Sequence, residues 1–224
     1  MHLVTGGAGF IGSHLVDSLV SMGNSVRVLD NFSSGREEFL EHHKDNEKVE
    51  IFRADLLDLE SVKDAMKGIE TVHHLAANPD IRLGTEVTDT DLKQGTIATY
   101  NVLEAMRHND VKRISFSSSS AVYGEANVMP TPETYGPILP ISLYGASKLA
   151  SEALISSWCG TFGGEAWIHR FANIVGPRGT HGVIFDFIHK LKKNPNRLEV
   201  LGNGLQEKSY MSAEDCVKAM VHLI

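Results

Sequence analysis

Cysteine is scarce in this chain, since Cys159 and Cys216 are the two cysteines among 224 residues. They form neither a disulfide framework nor a metal-binding pattern, so a reducing cytoplasm is the expected compartment. The sequence has no apolar run near the roughly 18 residues of a membrane span, and no secretory signal follows Met1. We therefore expect a cytoplasmic protein with no membrane partner.

Positive charge is also in deficit, because the net charge is −7 and aromatic residues make up 7% of the chain. Nucleic-acid surfaces interleave basic and aromatic residues, so no nucleic-acid partner is expected. The histidines lack metal-ligand spacing with cysteines or carboxylates: His42 and His43 fall in a charged loop, and His73 and His74 in a predicted strand. We predict no metal site.

The chain does have a regular alternation of short apolar segments and amphipathic segments. The predicted strands are HLVT, SVRVLD, VEIFRADL, TVHHLAA, KRISFSSSS and EAWIHRFANIVG. One helix between them, QGTIATYNVLEAMRHN, carries Ile97, Tyr100, Leu103 and Met106 at near-helical spacing. This alternation predicts an α/β fold, a Rossmann-like doubly wound parallel sheet with helices on both faces. Ligands of such sheets bind outside the carboxyl ends of the strands.

The stretch TGGAGFIG joins the first predicted strand to an apolar helix. Gly6, Gly9 and Gly12 then permit a tight turn, close approach of a pyrophosphate, and close packing of the helix on the strand. Asp30 ends the second strand, where its carboxylate would accept bonds from the adenosine ribose hydroxyls and repel a 2′-phosphate, which favours NAD over NADP. Asp55 ends the third predicted strand and would reach the adenine amino group. The structural alternatives are a plain strand-end residue for Asp30 and a helix N-cap for Asp55.

A second motif, YGASK, places Tyr144 and Lys148 four residues apart on one face of a helix. A phenol has a pKa near 10, so it needs roughly 3 units of lowering to act as a base near neutrality. An adjacent ammonium and an oxidised nicotinamide could supply much of that by stabilising phenolate. Tyr-x-x-x-Lys pairs are common by chance, and the alternative is an exposed helix face.

Together these stretches resemble the extended short-chain dehydrogenase/reductase superfamily, and DNFSSG, HHLAA, SLYGASK and RFANIVGPR resemble its NAD-dependent sugar-nucleotide epimerases and dehydratases. Within that family the likeness is greatest to the archaeal type of UDP-glucose (UDP-galactose) 4-epimerases, and it covers essentially the whole chain. Counting back from the Tyr of AVYG, the resemblance implies that Ser119 orients the reacting sugar hydroxyl. A polar strand end is the alternative for this serine run.

The resemblance also implies the remaining site residues. Catalysis would fall to Ser119, Tyr144 and Lys148. The NAD site would comprise Gly6, Gly9, Phe10, Ile11, Gly12, Asp30, Asn31, Ser33, Ser34, Gly35, Asp55, Leu56, Leu75, Ala76, Ala77, Ser117, Tyr144, Lys148 and Phe171. The UDP-sugar would meet Ser119, Asn173, Val183 and Lys208, although Asn173 could instead turn a strand and Lys208 could simply be solvated. A homodimer formed through the helices around ATYNVLEA and YGASKLASEALI is implied as well.

Two departures from the family pattern are expected to matter. Gly95 stands where relatives carry an Asn that touches the cofactor phosphate region, and the two alternatives are that Gln94 beside it substitutes or that the contact is lost. Relatives also continue beyond EDCVKAMVHLI. We therefore expect an NAD-binding domain over 1–172 and an incomplete C-terminal substrate-binding lobe over 173–224.

The function implied by the resemblance is an isomerase reaction of galactose metabolism, NAD-dependent 4-epimerization of a UDP-hexose through a transient 4-keto intermediate. Dehydratases of this branch follow the catalytic Ser/Thr with Asp-Glu, whereas Ser120 and Ala121 follow Ser119 here, which disfavours water elimination. Two alternatives stay open: another NAD-dependent nucleotide-sugar epimerase or reductase, and a non-catalytic NAD-binding protein.

Overall fold

A six-stranded parallel sheet forms the centre of the protein, in a computed structural model that describes residues 1–80, 83–204 and 207–224. Its spatial order is β3-β2-β1-β4-β5-β6, with every neighbouring pair parallel. The strands are β1 His2–Thr5, β2 Val26–Asp30, β3 Val49–Arg53, β4 Thr71–His74, β5 Arg113–Ser119 and β6 Glu165–Phe171. The order reverses between β1 and β4, which is the position where doubly wound sheets bind ligands.

Helices cover both faces of this sheet. They are α1 Phe10–Ser21, α2 Leu59–Ala65, α3 Leu83–Glu86, α4 Ala98–His108, α5 Leu143–Phe162, α6 Val183–Lys193 and α7 Ala213–Leu223. One apolar cluster joins α2, α4 and α5 to the sheet, and a second joins α1 and α7 to its other face. Two covered faces explain why β1, β2, β4 and β5 are mostly buried, whereas β3 and β6 at the two edges of the sheet are half-buried or exposed. No helix in the described ranges is long and apolar enough to cross a membrane.

Three predicted elements differ from the structure. The segment predicted as one strand over 165–176 splits, because β7 Asn173–Val175 leaves the main sheet and pairs with β8 Tyr210–Ser212. The predicted strand VEIFRADL ends at Arg53 rather than at Asp55. The predicted helix from Gln94 begins as a π-helix, Leu92–Ile97, before α4.

The predicted apolar face of that last helix is half wrong. Leu103 and Met106 are buried, whereas Ile97 is 40% and Tyr100 is 52% exposed. The π turn shifts Ile97, because its wider winding moves the residues before Ala98 out of the α-helical register. Tyr100 lies within α4, where residues spaced by three drift around a helix of about 3.6 residues per turn, so it lies on a different side from Met106. The buried face of α4 includes Ala98 and Val102 instead.

The C-terminal helix α7 contributes to the core next to β1. Cys216, Val217 and Met220 are buried in one cluster with Val4 and Leu15. The predicted division at residues 172 and 173 stays a prediction, and residues after it contribute both to the second sheet and to this core.

Candidate active site

The glycine turn after β1 adopts the conformation that its sequence predicts. Gly6 has φ +68°, and a Cβ there would lie 2.8 Å from the backbone of Ala76, at the β1–β4 crevice. A Cβ on Gly12 would lie 2.1 Å from the carbonyl oxygen of Gly6. Both positions therefore exclude any side chain, since backbone atoms cannot move aside as a flexible side chain can.

The N-terminus of α1 is suited to an anion. Gly9 is its N-cap and offers no side-chain hydrogen bond, and the first turn, which includes Phe10 and Ile11, carries no acidic residue. The first backbone N–H groups of a helix lack intrahelical acceptors and carry partial positive charge. A pyrophosphate would satisfy them, so this part of the structure fits a dinucleotide.

Asp30 is a buried carboxylate at the end of β2, 7% exposed. Oδ2 accepts a bond of 2.9 Å from the backbone N–H of Ala8, and Oδ1 accepts one of 2.8 Å from Phe32. Burial raises the pKa of this carboxyl, against the lowering effect of these bonds and of the Arg53 charge. Each oxygen keeps a second lone pair, so the bonds predicted to ribose hydroxyls remain available.

The loops after β2 and β3 are joined by one side-chain hydrogen bond. Asn31 Nδ2 donates to Asp55 Oδ2 at 2.9 Å, and Asp55 Oδ1 accepts from the backbone of Leu57. The N-cap alternative for Asp55 is wrong, because Asp58 caps α2 by accepting from Ser61. Asp55 therefore does not cap α2, and its carboxylate lies at the carboxyl edge of the sheet with Asn31 as its side-chain partner.

The other predicted cofactor residues lie at this same edge, each after the carboxyl end of a strand or within it. Ser33, Ser34 and Gly35 follow β2, Leu56 follows β3, Leu75, Ala76 and Ala77 follow β4, Ser117 lies in β5, and Phe171 ends β6. A Cβ on Gly35 would lie 2.8 Å from Asp30 Oδ1, so only glycine fits beside that carboxylate.

The Ser119 hydroxyl lies beside the Tyr144 phenol, and Ser119 Oγ accepts a 3.1 Å bond from the backbone N–H of Ala121. Ser119 ends β5, and Tyr144 lies in the first turn of α5, which Ser142 caps through a 3.0 Å bond to Gly145. Burial raises the pKa of Tyr144, the Ser119 hydroxyl lowers it, and the charge of Asp91 raises it. Desolvation is the largest of these effects, and the lowering expected from Lys148 together with an oxidised nicotinamide stays a prediction.

Lys148 is 3% exposed and lies one turn after Tyr144. Its Nζ donates to the backbone oxygen of Ser117 at 2.7 Å, and lies 4.9 Å from the Phe116 ring centroid and 5.8 Å from that of Tyr144. Burial lowers its pKa to about 8, against the raising effect of Asp91 and Glu152. The exposed-face alternative for the Tyr144–Lys148 pair is therefore wrong.

A buried polar network behind this group was not foreseen. His74 contacts Thr5 Oγ1 at 2.8 Å and Thr99 Oγ1 at 3.0 Å, and Thr99 Oγ1 lies 3.0 Å from Ser151 Oγ. Burial lowers the pKa of His74 to about 3, so its imidazole is neutral. The network ties β1, β4, α4 and α5 together, with Ser151 donating to the carbonyl of Ser147 next to Lys148.

A second unforeseen network anchors the middle of α5. Glu152 is 6% exposed and accepts a short hydrogen bond from Ser118. Arg170 pairs with Glu152 through both Nε and Nη2, and its Nη1 donates to Tyr123 at 3.0 Å. Single acidic and basic residues so far apart in sequence gave no signal of this pairing.

The other residues predicted to meet the UDP-sugar lie in β7, at the start of α6 and just before β8. Asn173 is in β7, where its amide donates to the Ser209 carbonyl at 3.1 Å. Val183 begins α6 and is 40% exposed, and Lys208 is exposed just before β8. Gly95 is buried, and a Cβ there would lie 2.7 Å from Ser147 Oγ, so this close approach of two helices explains its small size.

One group in the described part of the chain has the donor set of a metal site. Asp17, His42 and His43 bring three ligand atoms within 4.8 Å of one another, although their sequence spacing gave no hint of it. Both imidazoles contact Asp17 Oδ1 at 2.7 Å, and Arg178 pairs with Oδ2 at 2.8 Å. These side chains already satisfy one another without an ion.

Comparison with known proteins gives one consistent family. The model of the NAD dependent epimerase/dehydratase family matches residues 2–224. A Methanocaldococcus jannaschii protein provisionally named UDP-glucose 4-epimerase is 39% identical over 225 residues, covering 98% of this chain and 72% of its own. A crystal structure of UDP-galactose 4-epimerase superposes with TM-score 0.89 at 47% identity, over 99% of this chain and 70% of that one.

A third relative was solved with its cofactor. The structure of the Thermus thermophilus UDP-glucose 4-epimerase in complex with NAD has TM-score 0.86 and 32% identity. The superposition covers 99% of this chain and 73% of that one. The present chain is therefore shorter than these relatives.

Proposed function

This chain belongs to the NAD dependent epimerase/dehydratase family, and from that membership and its site we propose that it interconverts UDP-glucose and UDP-galactose at C4. The observation that carries the proposal is the placement of Tyr144 beside Ser119, with the buried Lys148 one turn along the same helix and its Nζ 5.8 Å from the Tyr144 ring centroid. This group lies at the carboxyl edge of the sheet that also carries the glycine turn and Asp30. The protein is thus an isomerase that acts on a nucleotide sugar.

The dinucleotide is held by the residues at the sheet edge. The turn at Gly6, Gly9 and Gly12 with the α1 N-terminus would take the pyrophosphate, and Asp30 the adenosine ribose. NAD bound there would supply reversible hydride acceptance for the sugar C4. Lys148 would hold the nicotinamide ribose hydroxyls.

Tyr144 is the group that we assign to the proton of the 4-hydroxyl. Ser119 would donate to or accept from the same hydroxyl and so fix its direction toward Tyr144. Burial disfavours the phenolate of Tyr144, so a neighbouring positive charge is needed to stabilise it. The ammonium of Lys148, 5.8 Å from the Tyr144 ring centroid, provides that charge from within the chain.

The UDP moiety would meet the second sheet and α6. Asn173, Val183 and Lys208 are exposed there, and so they are open to a ligand. Lys208 would pair with the diphosphate, and Val183 would pack on the nucleotide.

Water elimination is the alternative reaction at this site. It needs an acid and a base beside the sugar, and the two residues after Ser119 are Ser120 and Ala121, which offer no carboxylate. Epimerization requires a single proton-transfer group, which matches the residues present. Other UDP-sugar epimerizations use the same residues and differ in the pocket.

We also propose a cytoplasmic homodimer. Exposed Ile97 and Tyr100 on the π-helix and α4, with partly exposed Leu149 and Leu154 and exposed Ala153 on α5, give neighbouring helices apolar surface outside the core. Light scattering after gel filtration tests this, and Tyr100→Lys should shift a dimer toward monomer. A monomer in the unaltered chain would contradict it.

Product analysis by proton NMR tests the reaction. UDP-galactose with NAD should give UDP-glucose, read from the anomeric signals, and the reverse reaction should reach the same equilibrium ratio. A 4-keto-6-deoxy product would indicate dehydration instead. Unchanged UDP-galactose alongside NAD binding would overturn the assigned substrate and keep the cofactor.

A further inference from the structure

Asp91 is a buried acidic residue to which the mechanism above gives no role. It lies just before the π-helix and is 2% exposed. Its Oδ1 accepts a 3.0 Å bond from the amide of Asn78, in the loop after β4. Its Oδ2 has no hydrogen-bond partner among the described residues. A buried polar atom without a partner is costly and calls for an explanation.

The packing of two helices places this carboxylate beside the catalytic helix. Gly95 meets Ser147, and Thr99 meets Ser151, so the π-helix and α4 run parallel to α5. Asp91 lies one turn before Gly95. A Cβ on Gly84, in α3, would lie 2.6 Å from Asp91 Oδ2 and 3.7 Å from the Cβ of Leu143. Asp91 therefore lies against the first turn of α5, where Tyr144 is located.

The charges around Lys148 make Asp91 the unbalanced one. Glu152 on the same helix is neutralised by its two bonds from Arg170. His74 on β4 is neutral, Tyr144 is a neutral phenol in the cofactor-free chain, and β5 contributes the Ser117 carbonyl. Among the described residues, the hydrogen-bond partner of the Asp91 carboxylate is the neutral amide of Asn78, and none of them forms an ion pair with it.

We propose that Asp91 is a positioning residue, whose unpaired buried carboxylate is the counter-charge that keeps the Lys148 ammonium charged beside Tyr144. The proposal rests on the proposed function only for its turnover readout. Negative charge at Asp91 favours the protonated forms of both Lys148 and Tyr144. It thereby sets the pH range in which an ammonium and a phenolate coexist.

Asp91→Asn tests this, because it keeps the shape and an oxygen for Asn78 while removing the charge. Loss of the charge lowers the pKa of both Tyr144 and Lys148, so both limbs of the pH–rate profile should move to lower pH by about one unit. Asp91→Glu retains the charge and should restore the limbs. Asp89→Asn is the matched control: Asp89 is exposed, two residues away, paired with Lys93, and should leave the limbs in place.

A direct titration separates this proposal from the substrate assignment. Tyrosinate absorbance of cofactor-free protein, after subtraction of the corresponding Tyr144→Phe variant, should show a lower pKa for Tyr144 in Asp91→Asn. If UDP-hexose is not turned over, this titration still decides. If Asp91→Asn does not fold, Asp91→Ser is titrated in the same way. The proposal would be overturned if Asp91→Asn reduced kcat but left both limbs of the pH–rate profile and the pKa of Tyr144 unchanged. Asp91 would then be a packing residue.

Discussion

Gly12→Ala is the substitution that tests the interpretation of the glycine turn most sharply. Within a helix, alanine is favoured over glycine by about 1 kcal/mol, so an ordinary helical site would gain stability. At Gly12 the new Cβ would lie 2.1 Å from the carbonyl oxygen of Gly6, which is backbone and cannot rotate away. Overpacking costs about 1–3 kcal/mol, and a 2.1 Å contact with backbone belongs to the upper part of that range, about 2–3 kcal/mol. Subtracting the helix gain of about 1 kcal/mol leaves an expected net loss of about 1–2 kcal/mol.

The chain offers a matched control in Gly160 of α5. A Cβ there meets nothing within 4 Å, so Gly160→Ala should gain up to about 1 kcal/mol. Urea unfolding of both variants gives the comparison, and at a slope of about 2 kcal/mol/M the Gly12→Ala midpoint should fall by roughly 0.5–1 M. NAD affinity should fall at least about tenfold, because α1 must move away from the turn.

The reasoning would be refuted if both alanines shifted the midpoint upward by similar amounts. It would also fail if Gly12→Ala bound NAD as tightly as the unaltered chain. Either result would mean that α1 does not need to approach Gly6 closely to bind the dinucleotide.

Two further predictions concern charge. Asp30→Asn should raise the Kd for NAD about tenfold or more, because it removes a hydrogen bond to a charged group. It should also reduce the preference of the protein for NAD over NADP. Titration calorimetry with both cofactors measures the two Kd values, and unchanged values would contradict the prediction. Burial lowers the pKa of His73 and of His74 to about 3 from 6.5, so only the unfolded chain gains these protons. The free energy of unfolding should therefore fall below pH 6.5 by up to about 1.4 kcal/mol per pH unit and histidine. His73→Phe should remove the contribution of one histidine from that slope, to which His2 and His169 also contribute through pKa values that burial lowers, and an unchanged slope would disprove the assignment.

Local pattern was sufficient for the elements that carry the dinucleotide. The strand–glycine–helix sequence around Gly6 and the carboxylate of Asp30 are close in sequence to the structure they form, so their geometry followed from turn and helix rules. The Tyr144–Lys148 spacing likewise fixed one helix face. Their assignment to a sugar nucleotide needed the family resemblance, because the same residues suit many substrates.

Long-range pairing was beyond the pattern. Several contacts join segments that are far apart in sequence, and the identity of one residue does not predict such a partner. They are the Glu152–Arg170 pair, the Thr5–His74–Thr99 contacts and the β7–β8 sheet. The π-helix before α4 misled the periodicity, which assumes uniform winding. The raised pKa of Tyr144 was not predicted, because the spacing of Tyr144 and Lys148 gives no measure of how deeply the phenol is buried.

The measurement that tests the central claim is the rate of UDP-galactose conversion by Tyr144→Phe, with NAD present, against the unaltered chain and Tyr100→Phe. Tyr100 is half exposed on α4, so its loss should leave the rate within about twofold. Loss of the proton-transfer group in Tyr144→Phe should lower kcat by about 100-fold or more while NAD binding is kept. Conversion by Tyr144→Phe at the rate of the unaltered chain would contradict the assignment of Tyr144 as the proton-handling residue.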